Sequence, residues 1–464
     1  MGLCTLLFAI ALAGTPVAPF SGQEAAGIDA ATVDSTILDE MRATATPGAA
    51  VAIVRDGRVV YLKGFGVASV ETSDPVTPDT LFRLGSTTKM FTGLAAALLE
   101  EEGRLTMAAP IRTVARDLAD AVGTLTMHGL LSHTAGVIQE GAGDGSHDDA
   151  ALARRVRGWD ARQIFAPPGD VYSYSSPGYW LAGYVIEVAG GKPFADVLAD
   201  RIFTPAGMSR TTFRPLLALT YPMALDHRVV KGIAEVVRPY PDDVSTWPGG
   251  SMFSSARDLA RFATAFVDGG RVDSRTVLSP SAIATLSTRK ADSLGGCGYT
   301  YGLADCEVRG VRTLSHYGFR GGSGSIVRVI PSRRAAIVIL ANRGGGIMAR
   351  TEQAVLDMLL PSSPASGRSS STEPGMRPIA QDEAARLAGR YVNGTDVLTL
   401  RAGEGGLTYR YRSEPELPVR QAARDELIVV SPDGQPVQRF VVVKGRITGG
   451  LYLSDGTASF RKDE

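Results

Sequence analysis

Apolar residues along this chain recur with two periods, and the places where the period changes mark its parts. Two apolar runs near the start, Ala49–Val54 and Val59–Phe65, flank Asp56-Gly57. Strand-like runs around an Asp-Gly turn predict a β-hairpin over 49–66. The period then lengthens. Met90, Phe91, Leu94, Leu98 and Leu99 recur at helical spacing, so 86–102 reads as a helix that stops at Gly103. Trp180–Ala189 and Arg257–Val267 carry the same helical period, and Gln139–Asp149 is polar and loop-like. Ile326–Ile330 and Ala335–Ala341 have strand length, and the second is apolar throughout, which suits burial on both faces. Ile347–Leu360 reads as a closing helix. Strands at both ends of this region enclose a mostly helical middle. The fold class that follows is α+β: one antiparallel sheet built from both ends, helices on its faces and a helical subdomain inserted between.

From 361 to 378 the chain is rich in Ser, Pro and Gly and reads as a flexible linker. The texture changes again over 379–464. Short runs at Val397–Arg401, Leu407–Tyr411, Leu427–Val430 and Phe440–Val443 alternate with Asn393-Gly394, Asp433-Gly434 and Lys444-Gly445 turns. That pattern predicts a small all-β unit, a meander or barrel. At the other end, Leu3–Ala13 is apolar but too short to span a bilayer. Ala11-Leu12-Ala13 fits a cleavage site, so about residues 1–22 read as an export signal, although no Lys or Arg precedes the apolar run. The expectation is a periplasmic or secreted protein with no membrane-spanning helix once the signal is gone.

Composition narrows the partners. Among 464 residues, Lys+Arg and Asp+Glu both number 48, which gives no basic excess for a nucleic-acid surface. Cys297 and Cys306 are close in sequence and could close a small disulfide loop in an oxidising compartment; their spacing is no metal signature. Neither His-Glu-x-x-His, Cys-x-x-Cys nor Gly-x-Ser-x-Gly occurs, and Gly190-Gly191-Lys192 is no phosphate loop because residue 186 is Ile. No metal or cofactor is expected.

Three Ser-x-x-Lys pairs remain: Ser86/Lys89, Ser287/Lys290 and Ser459/Lys462. On a helix, i and i+3 share a face, so a lysine with a lowered pKa can take the serine's proton. Only Ser86 opens a strongly amphipathic helix, directly after Gly85. Read alone, the pair fits a helix-capping serine beside a solvated lysine equally well. Tyr174, within Tyr172-Ser173-Tyr174-Ser175-Ser176, is a candidate base if cations lower its pKa, or else a packed loop tyrosine. His316, in His316-Tyr317-Gly318 before a Gly-rich run and a strand, could bind a carboxylate or relay a proton beside an edge strand whose amides complete an oxyanion hole. Otherwise it is a loop histidine. His133 reads best as a satisfied structural histidine.

Taken in order, these segments resemble the serine β-lactamase-like superfamily of class C β-lactamases, DD-peptidases, D-aminopeptidases and related esterases. Phe82 to Lys89 resembles its nucleophile motif, Leu130 to Gly136 a structural signature, and Tyr174 to Tyr179 its Tyr-x-Asn segment. Phe203 to Met208, Gly249 to Arg261 and His316 to Gly318 resemble three further elements, so the likeness runs over about 28–360. The resemblance implies Ser86 as nucleophile, with Lys89 and Tyr174 moving its proton. It further implies the amides of Ser86 and Phe319 as oxyanion hole, and Ser176, His316, Gly318 and Phe319 in contact with substrate. Two departures stand out: Ser176 replaces an Asn that would offer both a donor and an acceptor, and His316 replaces a Lys. Both argue against an efficient β-lactamase. Leu387 to Tyr391 gives the C-terminal unit a likeness to lipocalin-like domains appended to some of these peptidases.

The expected activity is an acyl-enzyme hydrolase acting on a peptide amide, with a D-residue as one candidate, or on a small ester. A carboxylesterase or weak class C-like β-lactamase is the rival within the class, with β-lactams as further ligands. A non-catalytic penicillin-binding sensor or scaffold is the rival outside it.

Overall fold

The computed structural model describes residues 27–141, 143–293, 296–345, 348–361 and 376–463. The apolar leader and most of the linker lie outside them. The hairpin forms as its turn predicts, with β1 (Gly48–Arg55) and β2 (Arg58–Gly66). The same sheet continues through β3 (Ala291–Asp292), β4 (Gly298–Tyr299), β5 (Ala304–Val308), β6 (Val311–Arg320), β7 (Ser323–Ile330) and β8 (Ala335–Ala341). Its spatial order is β2-β1-β8-β7-β6-β5-β4-β3, antiparallel throughout. The late strand β8 pairs with β1, Val51 opposite Ile339, so the two ends of the domain do build one sheet.

Alternation in the central strands explains the layers. Ala49, Val51 and Ile53 point to one face, where they meet helices α1 (Ala30–Thr44) and, further along, the closing helix. Ala50, Ala52 and Val54 point to the other, where α2 (Lys89–Glu101), α3 (Ser176–Gly190) and α4 (Ala256–Val267) share the larger core. The closing helix α5 (Ala349–Leu359) covers the first face beside α1. Among the described residues no helix is long and apolar enough to cross a membrane.

Helix α1 carries no strong sequence signal. His316 lies within β6, which pairs with β7 from Leu314 to Arg320 but with β5 only from Val311 to Ser315, so from His316 onward one side of the strand has no strand partner among the described residues. Cys297 and Cys306 are joined by a disulfide at a Cα–Cα distance of 4.5 Å, which ties the entry of β4 to β5.

The C-terminal unit is a closed barrel of eight antiparallel strands: β9 (Gly389–Asn393), β10 (Asp396–Gly403), β11 (Gly406–Tyr411), β12 (Leu417–Ala423), β13 (Glu426–Val430), β14 (Pro436–Lys444), β15 (Leu451–Ser454) and β16 (Ser459–Lys462). Leu398, Leu400, Leu427, Val429, Phe440 and Leu453 fill it. It docks on the larger domain through buried Asp170, which accepts from the Ile447 amide at 2.6 Å, the Thr448 amide at 3.0 Å and the Tyr452 hydroxyl at 2.7 Å.

Helix α5 has no capping side chain of its own. Glu40 of α1 does that work instead. Its buried carboxylate accepts from the Arg350 amide at 2.9 Å and from the Thr351 amide and hydroxyl at 2.8 and 2.7 Å. Glu40→Ala leaves those donors unpaired and should cost about 3 kcal/mol. Glu40→Gln keeps one acceptor oxygen and should cost roughly half as much. Denaturant midpoints check both, and an unchanged midpoint for Glu40→Ala would refute the capping role.

Candidate active site

Ser86 sits in a single tight turn, Gly85–Thr88, that leads into α2. The turn comes up against β6 so closely that only glycines fit on both sides. Gly85 has φ +59°, and a Cβ on it would lie 2.4 Å from the Phe319 nitrogen. A Cβ on Gly318 would lie 1.8 Å from the Leu84 carbonyl oxygen. This double close approach brings the Phe319 backbone beside Ser86, at a helix start where amides have no intrahelical partner.

Lys89 begins α2 and is fully buried. Its Nζ lies 3.2 Å from Ser86 Oγ, 3.2 Å from Ser176 Oγ and 2.6 Å from the Gly249 carbonyl oxygen. Among the described residues no carboxylate pairs with it. Burial, and secondarily the charge of Arg320, hold its pKa well below the ordinary lysine value. A neutral amine fits these neighbours: one N–H donates to Gly249, the other to Ser176, and the lone pair is left to accept the Ser86 proton.

Tyr174 faces the same centre. Lys89 Nζ lies 4.8 Å from its ring centroid. Burial raises the phenol above its ordinary value, although its contacts with the Ser86 and Ser176 hydroxyls work the other way. It is therefore a protonated phenol at neutral pH, and the lysine is the better acceptor of the two. Ser176 stands at the start of α3, where its amide donates to Gln139 Oε1 at 2.8 Å.

The two histidines near the centre are structural in their contacts. His316 Nδ1 is 2.7 Å from the Tyr317 carbonyl oxygen, which can only accept, so that nitrogen carries the proton. Its Nε2 then accepts from the Tyr299 hydroxyl at 3.0 Å. Both nitrogens are occupied, and His316 is absent from the cavity lining. His133 packs in an aromatic nest, 4.3 Å from Tyr174 and 4.7 Å from Tyr299 between ring centroids, and accepts from the Ser175 amide at 3.0 Å; its buried Nε2 has no hydrogen-bond partner among the described residues, so the imidazole is only half satisfied, against the expectation.

A cavity of about 290 Å³ opens above Ser86. Tyr174, Ser176 and Phe319 line it, and Gly318, like His316, does not; Gln139, Trp180, Thr246 and Arg320 line it too, and sequence reasoning missed them. Arg320 donates to Thr246 Oγ1 at 3.1 Å and makes no ion pair among the described residues. Burial first, and then Arg83, lowers its pKa to about 10, so it remains a cation. A signal for Arg320 was present, since it follows the His-Tyr-Gly-Phe run directly. The other Ser-x-x-Lys pairs are elsewhere: Ser287 ends a short helix and Ser459 lies on β16.

This centre and fold belong together in one known class. The family model described as Beta-lactamase matches residues 33–360, and the chain belongs to that family. Penicillin-binding protein 4 of Amycolatopsis lactamdurans is 32% identical over 310 residues, spanning 64% of this chain and 81% of its own length. A putative D-alanyl-D-alanine carboxypeptidase of Escherichia coli O157:H7 is 25% identical over 393 residues, spanning 74% and 89%. Two crystal structures of SurE, one of them with D-Leu, are each 25% identical and cover 93% of this chain, at TM-scores of 0.76 and 0.72; 98% and 99% of those chains are covered.

The buried state of His316 has a measurable consequence. Burial, and then Lys89, pushes its pKa down to about 3, with the Tyr317 carbonyl opposing. In the unfolded chain it titrates near 6.5. Between these values the unfolded state binds a proton that the folded state refuses, so stability falls as pH drops from 6.5 towards 3. His133 adds to the same slope, because burial lowers it as well. His316→Gln should therefore make the slope of unfolding free energy against pH shallower by about 1.4 kcal/mol per pH unit in that window. Urea denaturation from pH 4 to 7 reads this directly, and an identical slope in both proteins would show that His316 is not held neutral.

Proposed function

We propose that this protein is a serine hydrolase that forms an acyl-enzyme on Ser86 and cleaves a peptide amide next to a D-residue. The observation that carries the reading is Lys89: a buried amine with no counter-ion among the described residues, 3.2 Å from the serine oxygen. A neutral amine in that position serves as general base at neutral pH. Lys89 accepts the Ser86 proton as the serine oxygen attacks the substrate carbonyl. Tyr174, a phenol in contact with Ser86 and Ser176, passes a proton to the leaving nitrogen, and water then releases the acyl group by the reverse route. The Ser86 and Phe319 amides are the oxyanion donors in this reading.

The peptide substrate is supported by the carboxypeptidase relative, and the D-residue by the likeness to SurE with D-Leu. Arg320, a cation on the cavity wall with no carboxylate of its own, suits a substrate that carries one. Ser176 offers one short hydroxyl that is already engaged by Lys89, which suits a peptidase better than an efficient β-lactamase. Export belongs to the same reading, supported by the apolar leader and the disulfide.

Ser86→Ala should lower turnover of peptides ending in D-Ala-D-Ala by at least ~10³-fold without changing the thermal midpoint. Intact mass should show wild type, and not the variant, gaining one adduct from a fluorophosphonate and one from benzylpenicillin. An adduct with the fluorophosphonate alone, together with turnover of p-nitrophenyl acetate but of no D-peptide, would make the protein an esterase. No adduct with either reagent would make it a non-catalytic binder.

A further inference from the structure

The loop that carries Tyr174 is held from two sides. Along Tyr172–Ser176 the backbone amides alternate in direction, as extended chain requires. The amide of Ser173 donates to the His133 carbonyl at 2.9 Å and that of Ser175 to His133 Nδ1 at 3.0 Å, both within the larger domain. The amide of Tyr174 points the opposite way and donates to the carbonyl of Thr457, in the barrel, at 2.8 Å.

The rest of that side is also barrel. The Ser459 amide donates to Ser173 Oγ at 3.1 Å, and its hydroxyl donates to the Tyr172 carbonyl at 2.8 Å. Asn393, in the first hairpin of the barrel, connects the pieces. Its Nδ2 donates to the Ser459 carbonyl at 2.8 Å and to Ser173 Oγ at 3.3 Å. Its Oδ1 accepts from the Gln139 amide at 2.9 Å, and the Gln139 side chain in turn accepts from the Ser176 amide. Ser173, Asn393 and Ser459 are at most 3% exposed. A buried network in which each polar atom is paired has one low-energy arrangement. Among the described residues, none from the barrel lines the cavity over Ser86.

We infer that the C-terminal barrel is part of the catalytic apparatus, a clamp that sets the position of Tyr174, with Asn393 as its positioning residue. The inference rests on the reading above that Tyr174 handles a proton. The barrel touches the tyrosine's loop and not the substrate space. Its loosening therefore lowers turnover and leaves substrate affinity in place.

The test uses the full chain with a peptide ending in D-Ala-D-Ala as substrate, whose leaving nitrogen takes the proton that Tyr174 passes. Asn393→Ala should lower kcat at least tenfold with KM changed less than twofold. Ser459→Ala, which removes one clamp bond and disturbs the fold less, should lower kcat about threefold, again at constant KM. Val437→Ser, on the exposed barrel surface, is the control and should match wild type. The clamp acts through Tyr174, so Asn393→Ala in a Tyr174→Phe background should lower kcat no further. If Asn393→Ala does not fold, Ser459→Ala carries the same test. Wild-type kcat in the folded variants, or a raised KM at constant kcat, overturns the proposal. So does full additivity with an impairing Tyr174→Phe. A Tyr174→Phe chain with wild-type kcat overturns instead the proton-handling reading on which the clamp depends.

Discussion

A primary amine buried without a counter-ion is costly, and much of this fold is arranged around the one at Lys89. In water the amine would be protonated; here no carboxylate among the described residues pairs with it, and the charge of Arg320 opposes protonation further. Burial and that charge both disfavour the protonated form, and the lone pair of a neutral amine would have one natural partner, the Ser86 hydroxyl. The remaining contacts of the amine, the Gly249 carbonyl and the Ser176 hydroxyl, accept its two N–H groups and fix its direction. The cost of burying this amine is the physical basis of the base role proposed for it.

Such an arrangement works only if the lysine, the serine and the strand beyond it come within van der Waals contact. The sheet supplies the rigid side. β6 is paired with β7 to its end at Arg320, so Gly318 and Phe319 are backed by a neighbouring strand on that flank, while their other flank, beyond Ser315, has no strand partner among the described residues. Tyr299 and His316 add a polar link within this wall. The imidazole is neutral and bonded at both nitrogens, which keeps a second positive charge away from Lys89. A protonated His316 would raise the cost of protonating the lysine still further, and would itself be buried unpaired.

The sequence made the frame of this molecule legible and concealed its connections. The hairpin over 49–66, the helix after Ser86, the all-apolar strand at 335–341 and the all-β character of the C-terminal unit follow from local period and turn chemistry, which one segment carries alone, whereas the barrel's eight strands and its closure do not. Helix α1 carries little such signal, because its stability comes from packing on the sheet and from Glu40, whose partners are about three hundred residues away. The strand character of 311–320 was similarly hidden, since His316, Tyr317 and Gly318 break the alternation that marks a strand. In the site, Ser86 and Lys89 are spaced by a local rule and could be read. Gln139, Trp180 and Thr246 reach the cavity only through tertiary folding, and no local pattern marks them, whereas Arg320 follows the His-Tyr-Gly-Phe run directly.

Asn393 shows most clearly why the rest was unreadable. In sequence it is half of an Asn-Gly turn, and turn chemistry accounts for it completely. In the structure its side chain is buried, and bonds a cavity-lining segment, the tyrosine loop and its own barrel at once. The barrel strands look like a separate module because their hydrophobic pattern closes on itself. A closed barrel nonetheless exposes turns at its ends, and these turns carry unpaired backbone groups. Here two of the turns meet a loop whose own amides alternate outward, so each side satisfies the other. Backbone pairing of this kind leaves no side-chain signature, and two units that read as independent share one set of hydrogen bonds at the site.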